Sequence, residues 1–189
     1  MSKHKEIKIK VLNLQQSVSY KPECKSIMIR IMDTVLIGKD HYSLDYKDDF
    51  ISVKEIYYDD IDFKSNKQYE VKDNDYYKMK VFKEDNKNDI MEFIRENLNN
   101  IEEIVIHCHY GESRSPGIAL SIDKVFKGFN FLYKFEDKFI PSKEFMTNMR
   151  NFNRYNYYLM TNIRIDKFST KTLYKTKFEE IKYKFLSLF

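Results

Sequence analysis

The sequence predicts a single α/β domain, with a mainly parallel central sheet flanked by helices. Segments of strand length alternate with segments of helical periodicity, which is the pattern of this fold class. The chain has 189 residues, a length that fits one domain. Its composition, 42% hydrophobic and 33% charged, provides a core and disfavours a disordered chain. We therefore expect one domain over residues 1–189, with its core at about 7–150 and a helical extension, 151–189, packed on that core.

The first third of the chain carries three predicted strands, which show alternating or β-branched apolar residues. They span residues 7–14, 26–32 and 53–58. Between the first two, Val18–Tyr20 and the following Pro22 are interpreted as a strand end and a turn. Residues 63–78 are highly polar, which predicts a long connection.

The middle of the chain has the clearest periodicity. Apolar residues at helical spacing predict a helix from about Lys87 to Asn97, and Ile101–Ile106 then forms a buried strand. A second helix is expected over Ser115–Phe126, with Pro116 in its first turn and Gly128 as its stop.

The last third is predicted as an aromatic loop followed by helices. The loop covers 129–142, and helices follow over 143–154 and 173–188. The final helix is amphipathic and lysine-rich. We expect it to pack onto the domain, and the alternative is a helix for a membrane surface or a partner.

Charge and cysteine content limit the classes of function. The net charge of +4 is mild, so it fits a small anionic ligand or a phosphorylated partner and disfavours nucleic acid. The first ten residues are polar and lysine-rich, and no apolar run approaches the roughly 18 residues of a membrane span. A reducing, cytoplasmic setting is therefore expected. Cys24 is then a bystander or core thiol, with a redox partner as the alternative.

The stretch from Cys108 to Arg114 concentrates the chemistry. A buried strand ends at the cysteine, and the predicted helix begins directly after the arginine, so the loop between them lies at the carboxyl end of a central strand. A helix amino end and a guanidinium both favour oxyanions and a thiolate. Gly111 permits a tight turn, so the amides can turn inward as an anion nest. The expected oxyanion-binding residues are His109, Tyr110, Gly111, Glu112, Ser113 and Arg114.

Two neighbours of this loop are expected to support it. His107 precedes the thiol and is predicted to form a hydrogen bond behind the loop and to lend it positive character. Ser115 can donate its hydroxyl to the sulfur, which would help Cys108 leave at the end of a reaction. The His-Cys-His run at 107–109 also suggests a metal site. The only other histidines are His4 and His41, so few further ligands are available. We therefore expect no metal and no cofactor.

Residues His107-Cys108 to Arg114-Ser115 resemble the signature loop of the cysteine-dependent protein tyrosine and dual-specificity phosphatases: His-Cys, five residues, Arg, then Ser or Thr. The ending Gly-x-Ser-Arg-Ser-Pro is most similar to dual-specificity members and small phage and bacterial relatives. The clear resemblance covers about residues 90–126, with a fainter one over 26–62. Tyr110 departs from it because alanine is usual there, and a bulky side chain at this position would reshape the pocket mouth.

The resemblance implies a protein phosphatase that acts on phosphotyrosine, and also on phosphoserine or phosphothreonine, through a phosphoryl-cysteine intermediate. It also implies a general-acid aspartate on a loop after a strand. Asp60 is our first choice because it follows the predicted strand 53–58, with Asp62 second and Asp75 third. The alternatives are an RNA 5′-triphosphatase, another phosphate-monoester phosphatase with the same loop, or a catalytically weak phosphate-binding module.

Overall fold

The computed structural model describes residues 5–38, 42–60, 80, 82–149 and 152–162. Within these ranges the chain forms a six-stranded sheet with helices packed against it. The strands are β1 (Glu6–Leu12), β2 (Ser26–Met32), β3 (Ser52–Tyr57), β4 (Glu103–His107), β5 (Asn130–Phe135) and β6 (Lys138–Pro141). The helices are α1 (Leu14–Val18), α2 (Glu84–Asn97), α3 (Arg114–Val125), α4 (Ser142–Asn148) and α5 (Arg154–Thr161).

The sheet has the order β3-β2-β4-β1-β5-β6, and only β6 runs antiparallel to its neighbour. The predicted fold class, one α/β domain with a mainly parallel sheet, is confirmed. Strand β4 lies between β2 and β1, and all five of its residues are buried. Its carboxyl end is therefore surrounded by the carboxyl ends of parallel neighbours, which is where ligands bind in sheets of this class.

The two faces of the sheet bury different amounts of apolar surface. One face packs against α2, α3 and α5 in the main core, to which Ile29, Ile106 and Ile118 belong. The other face carries a small cluster that includes Met28 and Val105 and is covered by Leu44 and Phe50. Because side chains alternate along a strand, neighbouring residues of β2 and β4 enter different cores. Cys108 belongs to the main core, on the face that the helices cover.

Three local predictions were wrong. Val18, predicted to begin a strand end, is instead the last residue of helix α1. This helix forms because Asn13 caps its amino end: the Asn13 side chain accepts a hydrogen bond from the backbone N–H of Gln16, and the Gln16 side chain accepts one from the backbone N–H of Asn13. Most of the loop predicted over 129–142 is the β5–β6 hairpin, in which Phe131 and Tyr133 alternate into the core. The helix predicted over 143–154 is two helices, because Met149 ends α4 and the backbone at Asn153 is extended.

Several predicted features lie outside the described residues. They are Asp62, Asp75, the polar stretch at 63–78 and the helix at 173–188. Of the predicted extension 151–189, the described part includes α5, which contributes Tyr157 and Met160 to the main core. None of the helices described between residues 5 and 162 has the length and apolar character needed to cross a bilayer.

Candidate active site

Cys108 directly follows β4 and is 2% exposed. The chain from this residue to Arg114, where α3 begins, makes a tight loop over the carboxyl end of the sheet. The strand is buried, and so are the first nine residues of the helix, so both ends of the loop are held within the protein interior. This is the arrangement that the sequence predicts: a thiol and a guanidinium at the two ends of one rigid loop.

The loop backbone is anchored through its carbonyl oxygens. The carbonyl of His109 accepts from the backbone N–H of Leu14, and that of Ser113 accepts from those of Asn153 and Gly117. Among the described residues, none of the backbone N–H groups from His109 to Arg114 donates to a protein atom. The loop therefore holds a row of unused donors, which is the property expected of an anion-binding nest.

Gly111 is required in this loop for two reasons. Its φ is +74°, a left-handed conformation that residues with a side chain rarely adopt. A Cβ placed on it would also lie 3.0 Å from the backbone N of Asn13 and from the carbonyl carbon of Leu12. The loop thus packs directly on the β1–α1 junction, with no room for a side chain between the two backbones.

Arg114 is 3% exposed, and only part of its guanidinium is satisfied within the protein. Its Nη1 donates to the carbonyl oxygen of Tyr58 at 2.8 Å and pairs with Asp33 Oδ1 at 2.8 Å. Its Nε is buried without a hydrogen-bond partner among the described residues. Burial lowers the pKa of Arg114, but the negative charges of Asp33 and Cys108 outweigh this effect and raise it above its ordinary value. The side chain is a fixed cation with a donor left over for a ligand.

Asp33 is a site residue that the sequence reasoning missed. It directly follows β2, the neighbour of β4, and its Oδ2 also lies 3.7 Å from Nδ1 of His109. The available signal was the same one that led to Asp60, namely an aspartate immediately after a predicted strand. Since parallel neighbours end at the same edge of the sheet, an acidic residue after β2 is brought next to the loop after β4.

Ser115 lies where the sequence predicts it. Its Oγ donates to Sγ of Cys108 at 3.1 Å, and the serine is fully buried in the first turn of α3. A hydroxyl donor at this distance stabilises negative charge on the sulfur.

His107 forms the expected hydrogen bond behind the loop, but it does not lend positive character. The pKa of His107 is lowered from 6.5 to about 3, mainly by burial and to a smaller extent by the positive charge of Arg30. The imidazole is therefore neutral near neutral pH, and its Nε2 accepts from Nε of Arg30 at 3.1 Å. The positive charge expected of the histidine is carried by this arginine instead.

The structure separates the two adjacent aspartates that follow β3. Asp59 is buried and accepts from the backbone N–H and the hydroxyl of Thr34 and from the backbone N–H of Lys80, so it clamps three chain segments together. Asp60 is half-buried and reaches the loop: its Oδ1 accepts from Ser113 Oγ at 3.0 Å and from Asn153 Nδ2 at 2.9 Å. Of the three aspartates considered as a general acid, Asp60 is the one described, and it contacts the loop directly.

The outer residues of the loop form its rim. Tyr110 is 75% exposed and Glu112 is also exposed. The Tyr110 ring packs edge-on against His109, with centroids 4.5 Å apart. The tyrosine therefore projects outward beside the loop, and a bound phosphorylated group would meet it outside the nest.

Cys24 lies at the opposite end of the sheet. It precedes Ser26, which is paired with Glu103 at the start of β4, whereas Cys108 follows the end of that strand. Five strand residues separate the two levels, which corresponds to roughly 16 Å. A disulfide requires Cα atoms within about 7 Å, so the alternative in which Cys24 is a redox partner of Cys108 is excluded in this fold.

Histidine, cysteine and carboxylate side chains do not assemble into a group of three or more suited to a metal ion anywhere in the described part of the chain. Comparison with models of known protein families, with curated proteins and with solved structures gave no match.

Proposed function

We propose that this protein is a cysteine-dependent phosphatase that hydrolyses phosphotyrosine, and also phosphoserine or phosphothreonine, in protein substrates through a phosphoryl-cysteine intermediate. The observation that carries the proposal is a buried thiol and a buried arginine on one loop whose amides, like the arginine Nε, have no protein acceptor among the described residues. An unsatisfied buried donor is costly, so the buried Nε of Arg114, on the same loop as the sulfur, is best explained by an anionic ligand.

In the first step the Cys108 thiolate attacks phosphorus in line with the leaving oxygen. An S–P bond forms as the P–O ester bond breaks, and the leaving oxygen takes a proton from the Asp60 carboxyl group. Both hydrogen bonds that Asp60 accepts from the described residues fall on Oδ1, and we assign the proton to Oδ2. Nε of Arg114 and the loop amides hold the equatorial oxygens, on which negative charge is concentrated during transfer.

In the second step water attacks the phosphoryl-cysteine. Asp60, now ionised, takes a proton from the water as the S–P bond breaks, and inorganic phosphate is released. Sulfur leaves as a thiolate, and the hydroxyl of Ser115 at 3.1 Å stabilises that charge. The positive charge that this chemistry needs is supplied by the buried Arg114 and the helix amino end.

The direct test is hydrolysis of p-nitrophenyl phosphate by the purified full chain. We expect turnover that Cys108→Ser abolishes and that vanadate, an analogue of the pentacoordinate transition state, inhibits. Cys24→Ser is the matched control because it makes the same chemical change at the other end of the sheet, and it should retain turnover. Absence of turnover in the unchanged protein, together with tight phosphopeptide binding, would instead establish a phosphate-binding module.

Substrate class is tested by comparing phosphotyrosine, phosphoserine and phosphothreonine peptides with an RNA 5′-triphosphate under the same conditions. We expect the peptides to be preferred. The loop supplies no lysine between Cys108 and Arg114 for additional phosphates, and Glu112 at its rim repels them. A higher kcat/KM for the RNA end would contradict the assignment to protein substrates while leaving the phosphoryl-cysteine chemistry in place.

A further inference from the structure

A row of polar side chains crosses the sheet immediately behind the nucleophile. Arg30 on β2 is in register with Glu55 on β3 and with His107 on β4. The residues on either side of Arg30 along the strand, Ile29 and Ile31, are fully or almost fully buried in the main core. The charged residue Arg30 therefore lies level with His107, the last residue of β4, directly before Cys108.

Every arm of the Arg30 guanidinium is committed to a protein acceptor. Nη1 donates to Glu55 Oε1 at 2.7 Å, Nη2 to the carbonyl oxygen of Tyr42 at 2.6 Å, and Nε to His107 Nε2 at 3.1 Å. Arg30 is 5% exposed, so it is held in a single orientation. The Glu55 side chain is 39% exposed, and an ion pair with an exposed partner contributes little to stability, so the pair with Glu55 alone does not account for a buried arginine.

The hydrogen bond from Arg30 determines which nitrogen of His107 is protonated. An arginine can only donate, so Nε2 must be the unprotonated acceptor, and the ring proton is assigned to Nδ1. Nδ1 is buried and makes no hydrogen bond to the described residues. The contact with Arg30 alone therefore assigns the ring proton to Nδ1. Without Arg30, either nitrogen could carry it.

We propose that Arg30 is a positioning residue for Cys108: it fixes the tautomer and the orientation of His107, the residue that joins the nucleophile to β4. The expected effect of Arg30 on turnover rests on the proposed phosphatase function. The effect of Arg30 on the His107 tautomer does not depend on that function. Glu55 and the Tyr42 carbonyl accept hydrogen bonds from Arg30 and so orient its guanidinium towards His107.

The tautomer is tested by long-range proton–nitrogen NMR of the histidine rings. In the unchanged protein we expect the His107 proton on Nδ1 alone. In Arg30→Met, and in Arg30→Lys, which keeps the charge but loses the planar fork, we expect a detectable population with the proton on Nε2. Lys10→Met is the matched control, since it removes another cation from the same sheet, at the level of Val105, and should leave the His107 spectrum unchanged. An Nδ1-only spectrum in the folded arginine variants would overturn the proposal.

The kinetic arm separates positioning from general loss of stability. For p-nitrophenyl phosphate we expect kcat to fall about tenfold in the arginine variants, as for other residues that orient a reacting group through a neighbour. KM should stay near its original value, because Arg114 and the loop amides still hold the phosphate. An equal fall in Lys10→Met, or unchanged kcat in both arginine variants, would refute the positioning role. If the unchanged protein itself shows no turnover, the proposed function fails, and the NMR comparison still decides whether Arg30 fixes the tautomer.

Discussion

A buried charged side chain lies near each end of strand β4, and the two side chains differ in how completely the protein satisfies their hydrogen bonds. At the amino end, the carboxylate of Glu103 is 1% exposed, accepts from the hydroxyls of Tyr20 and Ser26, and pairs with Lys10 at 3.0 Å. At the carboxyl end, Arg114 is equally buried, yet its Nε has no partner among the described residues. The Glu103 carboxylate, which stabilises the fold, has all of these partners within the chain, whereas the Arg114 guanidinium retains a donor that a ligand could use. Substitutions at the two ends should therefore separate stability from activity.

The largest effect is expected from Arg114→Lys. Lysine keeps the charge but loses the planar fork, so it cannot hold Asp33, the Tyr58 carbonyl and a phosphate at once. We expect kcat/KM for p-nitrophenyl phosphate to fall about 10³-fold or more, in the range seen when an arginine that stabilises transferring phosphoryl groups is lost. Lys10→Met, which removes the partner of Glu103 at the amino end, should change kcat/KM by less than about threefold, in line with a charge that contacts no substrate. Similar losses in the two variants would remove the distinction between the ends.

Asp60→Asn should have the next largest effect, and it is best compared with Asp59→Asn. We expect Asp60→Asn to lower kcat about 10²-fold or more for an alkyl phosphate, whose leaving oxygen needs a proton, and much less for a dinitrophenyl phosphate. Asp59→Asn should instead lower the melting temperature, because Thr34 and Lys80 lose a carboxylate acceptor. A loss in Asp60→Asn that is the same for both leaving groups would remove Asp60 as the general acid.

The stability of the fold should depend on pH through His107. Its pKa is about 3 in the folded protein and 6.5 when unperturbed, so between these values the unfolded chain binds the proton that the folded chain excludes. The free energy of unfolding should therefore fall as the pH drops through this window, by at most about 1.4 kcal/mol per pH unit from this residue. Urea unfolding over this pH range measures the slope. It should flatten in His107→Asn and persist in His109→Asn, and an unchanged slope in His107→Asn would contradict the assignment.

The smallest effect is expected from Tyr20→Phe at the amino end. It removes the hydroxyl that donates to Glu103 at 2.7 Å and accepts from Lys10 at 2.6 Å. Because burial and Glu103 raise the pKa of Tyr20, this hydroxyl stays protonated and acts as a donor. We expect a loss of about 1 kcal/mol in the free energy of unfolding, measured by urea titration, with turnover unchanged. Reduced turnover without reduced stability would show that the amino end also serves the site.

Much of the site was predictable because its signals are local in the chain. A buried strand, a thiol, a glycine, an arginine and a helix start follow one another within Ile104–Ser115, so their geometry depends on short-range spacing. The hairpin at 130–141 was missed although its first strand carries a local signal: Phe131, Tyr133 and Phe135 stand at every second position, which is the period of a β-strand. The break before α5 was missed for a different reason, because it accompanies a contact between distant segments of the chain. The backbone of Asn153 is extended where it donates to the carbonyl of Ser113, a contact that a helix pattern cannot reveal.

By itself, the sequence determined the fold class and the loop that joins Cys108 to Arg114, since periodicity and spacing act over a few residues. Only the tertiary structure decided which distant groups meet that loop. Asp33 reaches Arg114 because β2 lies beside β4, and Asp60 lies beside Ser113 although 53 residues separate them in the chain. The choice between Asp59 and Asp60, and the neutral state of His107 beside Arg30, likewise depend on strand order and burial. These are properties of packed neighbours, and local patterns along the chain do not encode them.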